Sequence, residues 1–121
     1  MSRRGHRHQD RGMVSAELAV TIPSVLLVLA ICLAALALGV DQVRCVDAAR
    51  VAARAASRGE DPAVVRELAT ARAPEGSRVL VEDGPGRVQV RVLAPARGRF
   101  LPGLPAANGV ASASWEPGAG P

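Results

Sequence analysis

Polar and apolar positions divide the chain into four stretches. Residues 1–12 are polar and basic, with Arg3, Arg4, Arg7 and Arg11. Leu18 to Val40 then runs for 23 residues without a charge, broken only by Thr21, Pro23, Ser24 and Gly39. At helical rise this run is about 34 Å long, enough to cross a bilayer core with some tilt. From Asp41 to Arg58 the period becomes helical and amphipathic. Asp41, Arg44, Asp47, Arg50, Arg54 and Arg58 recur every three or four residues, opposite Cys45, Ala49, Ala52 and Ala56. No Gly or Pro interrupts this stretch, so the pattern predicts one long helix that leaves the membrane and stops at Gly59, a residue suited to the C′ position.

The fourth stretch predicts a small mixed unit. Asp61-Pro62 is a cap followed by proline at the first helical position, with Val64, Val65 and Leu68 on the side to be buried and Ala73-Pro74 as the stop. Val79 and Val81 alternate, then Val88, Val90 and Val92, around a turn at Asp83-Gly84-Pro85-Gly86. That is a β-hairpin. Residues 94–108 hold three prolines and two glycines and predict a loop; 109–116 predict a third strand. The fold class is therefore α+β. The division is a basic leader at 1–12, a membrane and extended helix at 13–58, an α+β domain at 59–116, and a disordered tail at 117–121.

Composition narrows the function. All fifteen basic residues are Arg, but they are spread along the chain instead of forming one block, which argues against nucleic-acid binding. Phe100 and Trp115 are the only aromatics, too few for a base-stacking platform. Outside the basic stub there is no His, no pair of carboxylates on one predicted face and no phosphate-cradling glycine loop. A non-enzymatic protein without cofactor, metal or small-molecule substrate is expected. His6 and His8 are read as solvated charge of the stub. Cys32 and Cys45 would stand roughly 20 Å apart on one helix, too far to bridge within the chain. They are read as small apolar fillers, with a bond between chains through Cys45 left open.

The one carboxylate near the start of the apolar run, Glu17, is the most telling residue. A charge there is costly, so it points to a function. Arg11-Gly12-Met13-Val14-Ser15-Ala16-Glu17 resembles a class III, prepilin-type signal sequence. Continued through Pro23 and on to the Ala/Arg-rich helix at 46–56, it resembles the opening of TadE-like proteins, the minor pilins or pseudopilins of tight-adherence (Tad/Flp) pilus systems. The resemblance covers about residues 11–59. Leu18 stands where many members carry Phe, and the usual aromatics at the outer end of the span are missing.

The resemblance implies a pilin-like fold and cleavage by a prepilin peptidase between Gly12 and Met13, on the cytoplasmic side. Glu17 would become the fifth mature residue and pair with the new amino group, setting register with Pro23. It implies membrane lipid, the peptidase, other pilin subunits and Tad platform proteins as partners. It also implies a cytoplasmic-membrane location, with the N-terminus inside and the domain outside or in a surface pilus. The basic flanks tie, four arginines against four, so orientation rests on the short stub and this motif. Ala35, Gly39, Cys45, Ala49, Ala52 and Ala56 form a small-residue seam expected to pack on like helices. Two other readings remain: an uncut single-pass anchor whose outer domain binds a partner, and a secreted module released after Ala37.

Overall fold

A computed structural model of the chain describes residues 3–96, 103 and 105–120, with side chains from Gln9 onward. The elements are α1 (Arg3–Ser57), α2 (Pro62–Arg72), β1 (Arg78–Gly84), β2 (Arg87–Leu93) and β3 (Asn108–Ser114). This is the expected α+β class. The chain falls into two compact units, residues 1–36 and 37–121, and each is described by itself.

In the first unit α1 begins at Arg3, so the basic stub is helical instead of a separate tail. The side chains of His6 and His8 lie outside the described residues. The apolar residues that follow are exposed on all sides, among them Val20, Leu26, Ile31 and Leu36. A helix apolar all round suits a non-aqueous surrounding. Its hydropathy and length are sufficient to cross a membrane.

The second unit is built where α1 meets a sheet. α1 ends in two hydrogen bonds of a Schellman motif: Gly59 N–H donates to Ala56 O at 2.9 Å and Glu60 N–H to Ala55 O at 3.3 Å. Gly59 adopts φ +80°, a conformation that only glycine enters cheaply. Asp61 then caps α2, accepting from the Ala63 N–H at 2.8 Å, with Pro62 at the first turn. Val65 and Ala69 are the buried residues of α2, with Leu68 packed beside them. Val64, expected on that face, is 41 % exposed. The apolar spacing is i, i+3 and i+4 from Val65, and Val64 falls one residue outside that stripe.

The sheet is an antiparallel meander in the order β1-β2-β3. Gly84 pairs with Arg87, so the β1–β2 turn is only Pro85-Gly86. Gly86 at φ +80° after proline gives a type II turn. Val88, Val90 and Val92 of the central strand are fully buried, flanked by half-buried Val79 and Val81. Each buried valine contributes roughly 1.5–3 kcal/mol of transfer free energy. They share one cluster with Cys45, Ala48, Ala49, Ala52, Ala53, Ala55 and Ala56 of α1. The opposite face of the sheet carries Arg78, Glu82, Arg87 and Arg91 and is exposed. Helices thus cover one face only.

The chain beyond β3 is ordered through Gly120, against the expectation of a disordered tail. Trp115 Nε1–H donates to Gly84 O at 3.1 Å and Glu116 N–H to Ser57 O at 2.9 Å. A turn then brings Ala119 N–H to Glu116 O at 3.0 Å. Ala119 packs so closely on Gly59 that a Cβ there would lie 3.3 Å from its own.

Candidate processing and assembly segment

Gly12, Met13, Glu17 and Pro23 all lie on α1. Beyond its chain neighbours and its own turns of helix backbone Gly12 has nothing within 4 Å of where a Cβ would sit, and Met13 is 66 % exposed. Glycine costs about 1 kcal/mol against alanine inside a helix, so Gly12 is a weak joint in an otherwise continuous rod. The first turn of α1 has no acidic residue to complement the helix dipole, which weakens that end further. A protease that needs extended backbone at Gly12-Met13 would meet the helix where unwinding is cheapest.

Met13 and Glu17 are four residues apart and share a face, about 6 Å along the axis. A cut after Gly12 would leave an ammonium group one turn from the Glu17 carboxylate. Further along, Pro23 has no N–H to give to Ala19 O. Two hydroxyls near it turn inward: Thr21 Oγ1 donates to Glu17 O at 2.7 Å and Ser24 Oγ to Val20 O at 2.9 Å. These back-bonds hide the polar atoms of the span within the helix, as a lipid setting requires. Glu17 is then the charged side chain left standing at the start of the apolar surface.

The structure separates the expected seam into two parts. Ala35 and Gly39 are exposed, and beyond its chain neighbours and its own turns of helix backbone Gly39 has nothing within 4 Å of where a Cβ would sit. Cys45, Ala49, Ala52 and Ala56 are buried, but the cluster they join is formed by the chain's own sheet and α2 and not by a like helix. The small side chains do allow close approach, as the seam argument requires; the sheet takes the place that a neighbouring helix was expected to fill. Asp41, placed by its spacing on the polar stripe, is also buried, at 5 % exposure.

Sequence reasoning missed the residue that makes this approach possible. Gly109 of β3 sits directly on the Cys45–Val46 backbone, where an added Cβ would overlap the Cys45 carbonyl. The one available signal was a glycine inside a predicted strand, which marks close backbone approach. The Gln42 side chain, also unforeseen, ties α1 to this strand, with its Nε2 donating to Asn108 O at 2.7 Å and its Oε1 accepting from Asn108 N–H at 3.1 Å.

Cys45 is fully buried, which excludes the bond between chains that the sequence left open. Burial pushes its thiol pKa up, Asp41 adds to the rise, and a hydrogen bond with the Ala94 backbone and the charge of Arg44 oppose it. The protonated thiol therefore favours the fold. Its contribution is complete below the ordinary thiol pKa and is lost as pH rises through the raised one. We expect a maleimide to leave Cys45 unmodified at neutral pH in the folded chain and to label it in urea at least a hundredfold faster; equal rates by mass spectrometry would contradict this burial.

No protein-family model matches the chain, and no solved structure matches it either. It is similar to the apoptosis inhibitor Rv3655c of Mycobacterium tuberculosis, with 45 % identity over 65 residues, 54 % of this chain and 51 % of that protein. The chain thus spans about half the length of the curated relative it matches.

Proposed function

We propose that the chain is a non-enzymatic subunit of a Tad-type pilus or secretion assembly, a minor pilin or pseudopilin. It is inserted in the cytoplasmic membrane with its N-terminus inside, cut after Gly12 by a prepilin peptidase, and assembled with other pilin subunits and platform proteins through α1. The observation that carries this reading is Glu17, one helical turn beyond Gly12-Met13 and exposed at the head of an apolar run that is itself exposed from Leu18 to Leu33. A carboxylate so placed is costly in lipid unless a cation pairs with it. The new ammonium group of a cut chain, on the same or a neighbouring subunit, is such a cation.

A second reading, an uncut single-pass anchor, is favoured by the continuity of α1 from Arg3 through Gly12. The N-terminus of the membrane-extracted chain separates the two. Mass spectrometry with and without the host's prepilin peptidase is expected to find Met13 first only when the peptidase is present. A chain that keeps Ser2 to Gly12 in both hosts would leave the uncut anchor, and a chain beginning at Leu38 a secreted module.

A further inference from the structure

β3 is an edge strand with an open stretch of backbone. Ala94 N–H donates to Ala107 O at 2.9 Å and Trp115 N–H to Gly86 O at 3.3 Å, which fixes the hydrogen-bonding parity of the β2–β3 ladder. With Val92 opposite Gly109 and Val90 opposite Ala111, the odd-numbered residues of β3 direct their backbone groups at β2. Asn108, Val110, Ser112, Ser114 and Glu116 therefore direct theirs away from the sheet. α1 closes both ends of that row, through Gln42 on Asn108 and Ser57 O on Glu116 N–H. Between them the outward N–H and C=O groups of Val110, Ser112 and Ser114 have no backbone or side-chain partner among the described residues, and all three residues are exposed.

Edge strands are commonly blunted by charge, proline or a bulge. β3 has no charged residue, no proline and an unbroken register. β1, at the other edge, carries Arg78, Glu82 and Asp83. β1 is guarded by charge along its length, whereas β3 is covered by α1 only at the two ends of its row.

Charge on the exposed sheet face says what fits. That face carries Arg78, Arg87 and Arg91 against Glu82. Arg87 lies beside Ser114 and Arg91 beside Val110 in register. The serines are short, and a hollow of about 310 Å³ opens among Arg87, Ser112, Ser114 and the Pro85-Gly86 turn. A carboxylate on an added strand could reach across Ser114 to the Arg87 guanidinium. On the other face Ala111 and Ala113 are only half-buried, leaving room for apolar side chains from the same strand.

We propose that the Val110–Ser114 edge of β3 takes up an extended segment of a partner protein as a fourth strand, one that alternates acidic side chains toward Arg87 and Arg91 with apolar ones toward α1. A second copy of this chain fits less well. Its own edge would bring β3 with the sequence Asn-Gly-Val-Ala-Ser-Ala-Ser, which has no acidic side chain to meet Arg87 and Arg91. The proposal does not depend on whether Gly12 is cut.

The test uses the full chain in non-ionic detergent and two labelled probes, acetyl-Thr-Val-Glu-Val-Glu-Val-Thr-amide and its counterpart with Lys in place of Glu, read by fluorescence anisotropy. The Glu peptide is expected to bind at least tenfold tighter than the Lys peptide. Ser112→Pro removes an outward N–H that no ladder bond uses, so it should keep the circular dichroism of the fold and lose at least tenfold in binding. Arg87→Glu should invert the preference between the peptides, and it decides the matter if Ser112→Pro does not fold. Undiminished binding to a folded Ser112→Pro chain, an unchanged preference in Arg87→Glu, or no binding of the Glu peptide at millimolar concentration would overturn the proposal. So would a wild-type dimer in sedimentation that Ser112→Pro converts to monomer, since the edge would then belong to a second copy.

Discussion

Replacing Gly109 with alanine is expected to remove most of the stability of the 37–120 unit. A Cβ at this position would overlap the carbonyl of Cys45 and lie 2.5 Å from the Val46 nitrogen. Those atoms belong to helix backbone and cannot rotate aside as a side chain would. Either β3 or α1 must move, and both are held nearby by Gln42 on Asn108. Overpacking a close-packed interior costs typically about 1–3 kcal/mol, and a clash with backbone belongs at or above the top of that range. A domain this small holds only about 5 kcal/mol in total. Urea titration followed by the emission of Trp115, the one tryptophan, reads the loss directly. Gly39→Ala is the control, because a Cβ there would meet nothing beyond its chain neighbours and its own turns of helix backbone. An unchanged midpoint for Gly109→Ala would mean that the helix and strand do not approach as described.

Glu17→Ala is expected to leave membrane insertion intact and to reduce assembly at least tenfold. The substitution makes the apolar run longer and removes a charge that lipid disfavours, so insertion should improve if it changes. What is lost is the partner for a cation, which the proposed assembly needs and the membrane does not. Glu17→Gln keeps the shape without the charge and should fail in the same way. Carbonate extraction measures insertion, and the sheared surface fraction measures assembly. Normal assembly by the alanine chain would remove the main support for a pilin role.

The fold class was legible because each element announces itself with a local signal. A run without charges, the Asp61-Pro62 cap, the Val79 to Val92 alternation and Gly59 after the last helical turn are short-range features, and each maps to an element. Partnership was not legible. Cys45, Ala49, Ala52 and Ala56 make a small face whatever covers it, and spacing cannot distinguish a like helix from the chain's own sheet. That choice is made by β3, more than fifty residues away, through a glycine whose role exists only in three dimensions. Ala48, Ala53 and Ala55 escaped for a related reason: the sheet and α2 together bury a broader arc of α1 than one neighbouring helix would. The tail was misjudged because Pro117, Gly118 and Gly120 read as disorder. They turn the chain so that Ala119 meets Gly59, and that contact depends on the left-handed end of α1.

The alanine-rich interior has a thermodynamic consequence. The heat capacity gained on unfolding grows with the apolar area exposed, at about 0.45 cal/mol/K per Å². Seven residues of α1 line the core, and six of them are alanine. They bring backbones close while burying little area each. The curvature of stability with temperature should therefore be shallow for a unit of this length. Its folded population then changes gently on warming or cooling, and the unit holds together more by proximity than by the water it releases.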